Sequence, residues 1–311
     1  MYDVNMRTHL LGFSLCFFTV TSCKPTTTTP DAPDDASVVT QDVVDETIEE
    51  VMVVEEKEVK ADSRCPADMK YVSGKYCKSL RYKCVKGRNK NEGLVCPKGC
   101  YLSSDNCQEW LPGSAECLPT KAVKKNGKLT YEPEYIDFEF CMDVYEWPNK
   151  VGERPKVFIS YYDAEKMCSS VGKRICTSSE FTLACEGPEQ LPTGYGWKID
   201  GITCNVNKVW KDWTKVRINT PEGFAKIDQS EIIGSRTECV SHYGIHDLTG
   251  NIDEWTKLDP IDKAMSGHPS QLKGGYYALG AHPYCRAHTD AHGPEFSFYQ
   301  IGTRCCTDVK K

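Results

Sequence analysis

The chain has 311 residues, with 38 Lys and Arg against 44 Asp and Glu, a net charge of -6, and 40% hydrophobic residues. That balance excludes a strongly basic nucleic-acid-binding protein, and the apolar content excludes a wholly disordered one. Its 18 cysteines point to an oxidising compartment rather than a reduced cytosol.

From the N-terminus, Met6-Arg7 is a short basic start and Leu10 to Val20 is an apolar run. Val20-Thr21-Ser22-Cys23 has the small-residue pattern that precedes a lipid-modified cysteine. The apolar run is well short of the roughly 20 residues that span a bilayer. Residues 1–22 therefore read as a bacterial lipoprotein signal peptide, with Cys23 as the lipidation site. The expectation is an exported chain held to a membrane by its lipid. Lys24 is not the aspartate that retains such proteins at the inner membrane, so the outer membrane is the expected address.

Residues 23–62 read as an acidic, disordered tether. Asp31 to Asp62 hold twelve acids, with Lys57 and Lys60 as the only bases, and such a segment cannot bury enough apolar surface to offset its ordering entropy. A short helix over residues 51–60 is the alternative reading, from its Glu and Lys content. Residues 24–62 carry -9 and residues 1–23 cancel, so -6 + 9 leaves +3 for residues 63–311. That charge is too weak and dispersed for a nucleic-acid surface, and no such partner is expected. About 250 residues suffice for one domain.

Within it, residues 77–130 hold six cysteines and few apolar runs. They read as a disulfide-pinned insertion, with a separate small domain as the alternative. Setting aside Cys16 in the leader and Cys23 leaves sixteen of the 18 cysteines, an even number that suits a disulfide framework. Cys96-x3-Cys100 is the best local zinc spacing, but no matching Cys or His pair follows it at zinc-finger distance.

Two helices are predicted next. Ser160 caps the first with Asp163 three residues on; Ala164, Met167, Cys168 and Val171 share a face, and Gly172 ends it. Thr177 caps the second with Glu180 at the box position; Phe181, Ala184 and Cys185 form its inner stripe, and Gly187 stops it. Further on, no phosphate-binding glycine loop, Gly-x-Ser-x-Gly elbow or His-Glu-x-x-His helix occurs.

The C-terminal third carries Gly-Ile-His-Asp-Leu-Thr-Gly-Asn-Ile-Asp-Glu-Trp from Gly244 to Trp255, then Gly274-Gly275, Cys285-Arg286-Ala287 and Ile301-Gly302-Thr303-Arg304-Cys305. These blocks resemble the formylglycine-generating enzyme, or sulfatase-modifying factor, family. The resemblance extends to Phe140-Cys141-Met142-Asp143 through Glu146 and Asn149, to the Gly172–Cys176 connector, where Cys176 replaces the family's proline, and to an opening strand over Met69–Tyr76. It implies a disulfide-rich α+β fold of low regularity, related to C-type lectins, over about Cys65 to Cys305. It also implies bridges Cys168–Cys305 and Cys185–Cys285. Proximity of the early and final strands suggests Cys141–Cys306 as a third.

In the family's oxidases the loop between the glycine pair and Cys285 carries two copper-binding cysteines. Here Tyr276 to Tyr284 contain none. Tyr284-Cys285 also resembles the surroundings of the second copper cysteine, but its distance from Cys305 fits the disulfide position better. Copper(I) prefers thiolates, and copper is not expected. Asn251 and Glu254 match positions that bind calcium in the family, and Asp253 adds an oxygen; the alternative is a turn at Gly250-Asn251 with Trp255 in the core. Asn205 matches a further calcium position whose acid is missing. His282, His288 and His292 around Cys285 form an alternative metal set, against merely polar surface histidines.

Two functions follow as expectations. One is a non-catalytic binding or scaffold module for a protein or glycan ligand, with Tyr276, Tyr277 and Tyr284 as an aromatic surface. The other is a formylglycine-generating oxidase, or another metalloenzyme, with an atypical site.

Overall fold

The computed structural model describes residues 63–88, 95–101, 106–261 and 267–310. The expected leader, Cys23 and the tether with its alternative helix lie outside them. Residues 58–311 form one compact unit. Among the described residues no helix is long and apolar enough to cross a membrane.

Local signals set two helices. Helix α1, Tyr161–Ser170, starts at Ser160, whose side chain accepts from the Asp163 amide while Asp163 reaches back to the Ser160 amide. Helix α2, Ser178–Glu186, has the same reciprocal box between Thr177 and Glu180 and ends at Gly187, whose φ is +63°. A stripe was expected to be buried on α2, yet all nine of its residues are buried, because it lies in the middle of the main hydrophobic cluster. A third helix, α3, Pro221–Ile227, begins with Thr220 as cap and Pro221 in its first turn; at seven residues it is too short to show an apolar period.

Four strands form the main sheet in the order Met69–Cys77, Tyr135–Asp143, Cys305–Asp308, Arg174–Ile175. The first two run antiparallel over nine pairs, Met69 opposite Asp143 to Cys77 opposite Tyr135. Val72, Phe140 and Met142 of this sheet pack on Phe181, Leu183 and Ala184 of α2. A smaller sheet orders Ser270–Lys273, Asp253–Lys257 and Ile301–Gly302, the last two parallel.

The insertion folds as short strands of its own, including the Val95–Cys100, Cys84–Gly87, Cys107–Trp110 ladder. It shares a core with the rest: Tyr82, Cys84, Cys107 and Trp110 cluster with Ile199, Cys204, Val206 and Tyr284. Backbone bonds from Trp110 N to Trp197 O and Ile199 N to Gln108 O stitch the same seam.

All sixteen cysteines of the described residues are paired, in eight bridges. Cys168 joins Cys305 and Cys185 joins Cys285, the pairs that the family resemblance implies. The Cys141–Cys306 expectation is corrected: Cys141 joins Cys65, and Cys306 joins Cys176. The register explains why. Cys306 stands opposite Met142 and Thr307 opposite Cys141, so the two cysteines are one residue out of step and face opposite sides of the sheet. Cys141 packs with Cys65 and Met69, whereas Cys306 packs with Cys176 and Phe181. Cys96 joins Cys100, which removes both thiols of the zinc spacing. The remaining bridges are Cys77–Cys117, Cys84–Cys107 and Cys204–Cys239. Every bridge and every core cluster lies between Cys65 and Val309, so the unit over residues 58–311 carries its own stabilising framework.

Candidate functional site

Three loops and one strand end meet around Asn251. Gly250 has φ +92°, and a Cβ there would come within 2.5 Å of Val206 and 2.6 Å of the Asn205 carbonyl. Only glycine permits that approach, which brings the Asn251 amide to the Asn205 carbonyl at 2.9 Å. The Asn251 side chain then joins the loops. Its Oδ1 accepts from Asn205 Nδ2 at 2.9 Å and from the Glu231 amide at 2.8 Å, and its Nδ2 donates to Glu146 Oε2 at 2.6 Å.

Buried charge surrounds this junction. Arg304 donates to both carboxylate oxygens of Glu254 at 2.8 Å, and neither residue is exposed. Burial pushes the Glu146 carboxyl well above its ordinary range, with the Asp247 and Glu254 charges adding to the shift. Burial also raises Asp247 to about 7 against the pull of Arg304. At the rim, the hydrogen bonds of Arg236 hold Glu231 down to about 2, helped by Lys208 at 2.7 Å.

The expected calcium trio does not converge. Asp253 and Glu254 are consecutive on one strand and face opposite sides. Both oxygens of Glu254 are taken by Arg304. Burial raises the Asp253 carboxyl to about 8, which favours a neutral group over a ligand for a hard cation. Asn251 is spent on its protein partners. These three residues do not fit calcium as a set. The oxygens left without a hydrogen-bond partner are others, Glu146 Oε1 and Asn205 Oδ1.

The expected histidine set is not gathered either. His292 stacks on Phe296 with centroids 4.0 Å apart, and His288 is exposed with Nδ1 3.5 Å from the Arg286 carbonyl. His282 stands in the loop with φ +53°. Among the described residues no group of three or more His, Cys, Asp or Glu is placed to hold a metal ion.

The loop after the glycine pair folds back on itself. A Cβ on Gly275 would meet the Ala281 carbonyl at 2.3 Å. Tyr277 is buried with Ile227 and Tyr299, and Tyr284 is buried against Trp110 at 6.2 Å between centroids. Of the three tyrosines expected as an aromatic surface, only Tyr276 keeps part of its ring outside. Cys285 is bonded to Cys185 beneath the loop, so no thiol is offered here, and a two-thiolate copper centre does not fit the residues present. Beside the loop, Trp210 and Trp213 of the segment Lys208-Val209-Trp210-Lys211-Asp212-Trp213 are exposed. Its lysines set among Val209, Trp210 and Trp213 are the signal that the sequence offers for an exposed apolar and basic face. A cleft of about 650 Å³ lies elsewhere, lined by Lys166 of α1, Ile175, Lys257 and Pro260 among others.

Residues 142–309 match the sulfatase-modifying factor enzyme 1-like domain, and the chain belongs to that family. It is 26% identical over 175 residues to the formylglycine-generating enzyme of Mus musculus, covering 50% of this chain and 44% of that enzyme. It is 24% identical over 206 residues to the serine/threonine-protein kinase pkn1 of Chlamydia caviae, covering 61% of this chain and 27% of the kinase. The chain thus spans less than half the length of these relatives. Among solved structures it is similar to PvdO from Pseudomonas aeruginosa, with TM-score 0.45, 12% identity and coverage of 80% of this chain and 97% of that one.

Proposed function

We propose that the protein is a non-catalytic binding or scaffold module of the sulfatase-modifying-factor family, exported and held at the outer membrane by a lipid on Cys23. One observation carries the non-catalytic reading: every cysteine of the described residues is in a disulfide, including Cys285 beside the loop where the family's oxidases place copper thiolates. A second support is the inward packing of Tyr277 and Tyr284, which leaves that loop closed rather than open to a substrate thiol. The ligand class is a protein or a glycan.

The test is direct. Purified protein supplied with copper(I) and reductant is incubated with a Cys-x-Pro-x-Arg peptide, and the peptide mass is followed. The expected result is no conversion to the aldehyde. Turnover that disappears in Cys285→Ser would sink the reading in favour of an oxidase with an atypical site. Radiolabelled palmitate incorporation that Cys23→Ser abolishes is the expected sign of the anchor.

A further inference from the structure

Beside the closed loop the surface turns apolar. Lys208 pairs in parallel with Ala278, through Lys208 N to Tyr277 O and Leu279 N to Lys208 O, both at 2.8 Å. In that register Ala278 points inward, at 1% exposure, while Lys208 turns to Glu231. The next residue of each strand segment, Val209 and Leu279, therefore faces outward on the same side. They are 82% and 59% exposed, and Trp210 and Trp213 follow at 47% and 36%. Trp213 is fixed edge-on against Phe298 at 5.2 Å, so its ring is held in place.

Charge surrounds these side chains. Residues 208–231 carry Lys208, Lys211, Lys215, Arg217 and Lys226 against Asp212, Glu222, Asp228 and Glu231, five minus four, a net of +1, so the useful charge lies in the bases that have no acidic partner. Lys208 and Lys215 are ion-paired to Glu231 and Asp212. Lys211 and Arg217 are exposed and make no side-chain ion pair or hydrogen bond among the described residues.

We propose that this face docks on an anionic phospholipid surface, with Val209 and Leu279 entering the headgroup layer, the exposed rings of Trp210 and Trp213 flanking them, and Lys211 and Arg217 meeting phosphates. Charge argues for anionic lipid. Lys211 and Arg217 stand exposed without an acidic partner among the described residues, next to protruding apolar side chains, and that pairing of free bases with apolar groups suits the anionic headgroup layer. Tryptophan rings prefer that interfacial depth, and each base near an anionic surface adds attraction. The site is independent of the lipid on Cys23. It does not depend on the non-catalytic reading either.

The test uses residues 58–311, the compact unit that holds all eight bridges, so that the leader and nearly all of the acidic tether are absent. Sedimentation with phosphatidylglycerol vesicles should pull the protein down, and phosphatidylcholine vesicles should retain far less. Val209→Asp with Leu279→Asp should lower partitioning by about tenfold or more, from the lost burial of two apolar side chains. Lys211→Ala and Arg217→Ala should each lower it by about fivefold on anionic vesicles only. Brominated acyl chains should quench tryptophan fluorescence in wild type and not in the Val209→Asp, Leu279→Asp protein. Unchanged melting temperatures would confirm that the variants fold. Wild-type protein left in the supernatant of anionic vesicles, or variants that partition as wild type does, would overturn the proposal. Loss of a captured protein partner in the same variants, without vesicle binding, would overturn it in favour of protein docking.

Discussion

Glu254 and Arg304 show how a residue predicted as a ligand acts instead as half of a buried ion pair. Removing one partner strands the other charge, so Glu254→Gln should destabilise the domain by about 3 kcal/mol. That is the low end for such changes, because the Glu146 and Asp247 carboxylates also attract Arg304. The loss should appear in the urea midpoint equally with and without millimolar calcium. A calcium-induced rise in melting temperature that Glu254→Gln abolishes would restore the metal reading.

Asp253, the neighbour on the opposite face, sets a pH dependence. Its carboxyl is raised from 3.8 to about 8 by burial. Below its unfolded value both states are protonated and its contribution is fully present; as pH rises the unfolded chain ionises first, so that contribution is lost through about pH 8. Asp253→Asn removes the ionisation and should therefore raise the melting temperature at pH 8 while leaving it nearly unchanged at pH 4. Equal shifts at the two pH values would contradict the assignment.

At the scale of elements, the two capped helices α1 and α2 were legible, whereas the short α3 and the insertion strands were not. Both capping boxes, Ser160 with Asp163 and Thr177 with Glu180, formed as their spacing requires, because capping is decided within four residues. The inward turn of Tyr277 and Tyr284 was hidden, since it depends on Ile227, Tyr299 and Trp110 from distant segments. The Cys141–Cys306 error came from placing two strands correctly as neighbours without knowing their register, where one residue of slip reverses every face.

The loop after the glycine pair gives a sharp test of element geometry. Gly275 and Gly280 both have positive φ, +67° and +93°, but only Gly275 is crowded, by the Ala281 carbonyl at 2.3 Å. Gly280→Ala should cost about 1 to 2 kcal/mol from backbone strain alone. Gly275→Ala should cost clearly more, because the carbonyl must also move. Comparable melting temperatures for the two variants would mean that the loop does not fold back as described.

For the whole molecule, stability rests heavily on bridges that close long loops. Cys185 and Cys285 are 100 residues apart, and in the chain-entropy model such a link contributes about 4 to 5 kcal/mol. The paired substitution Cys185→Ala with Cys285→Ala should lower stability by that order and leave the Gly274–Tyr284 loop open to protease. Non-reducing peptide maps of wild type should recover Cys65 linked to Cys141 and, apart from it, one peptide carrying Cys305 and Cys306 linked to both the Cys168 and the Cys176 peptides.

The adjacent cysteines Cys305 and Cys306 also dictate when the domain is able to close. Cys305 and Cys306 face opposite sides of one strand and take Cys168 and Cys176 as partners, across 137 and 130 residues. In a chain that emerges N-terminus first into an oxidising space, Cys168 and Cys176 arrive long before either partner. At eight residues apart, they meet each other first. Native closure on the sheet waits for Cys305 and Cys306, and any bond formed earlier between Cys168 and Cys176 must be reshuffled, so folding in an oxidising space is expected to depend on a disulfide isomerase as well as an oxidase. A strain lacking the isomerase should accumulate a species linked Cys168 to Cys176, readable by peptide mapping, and a chain truncated before Cys305 should be trapped in that form.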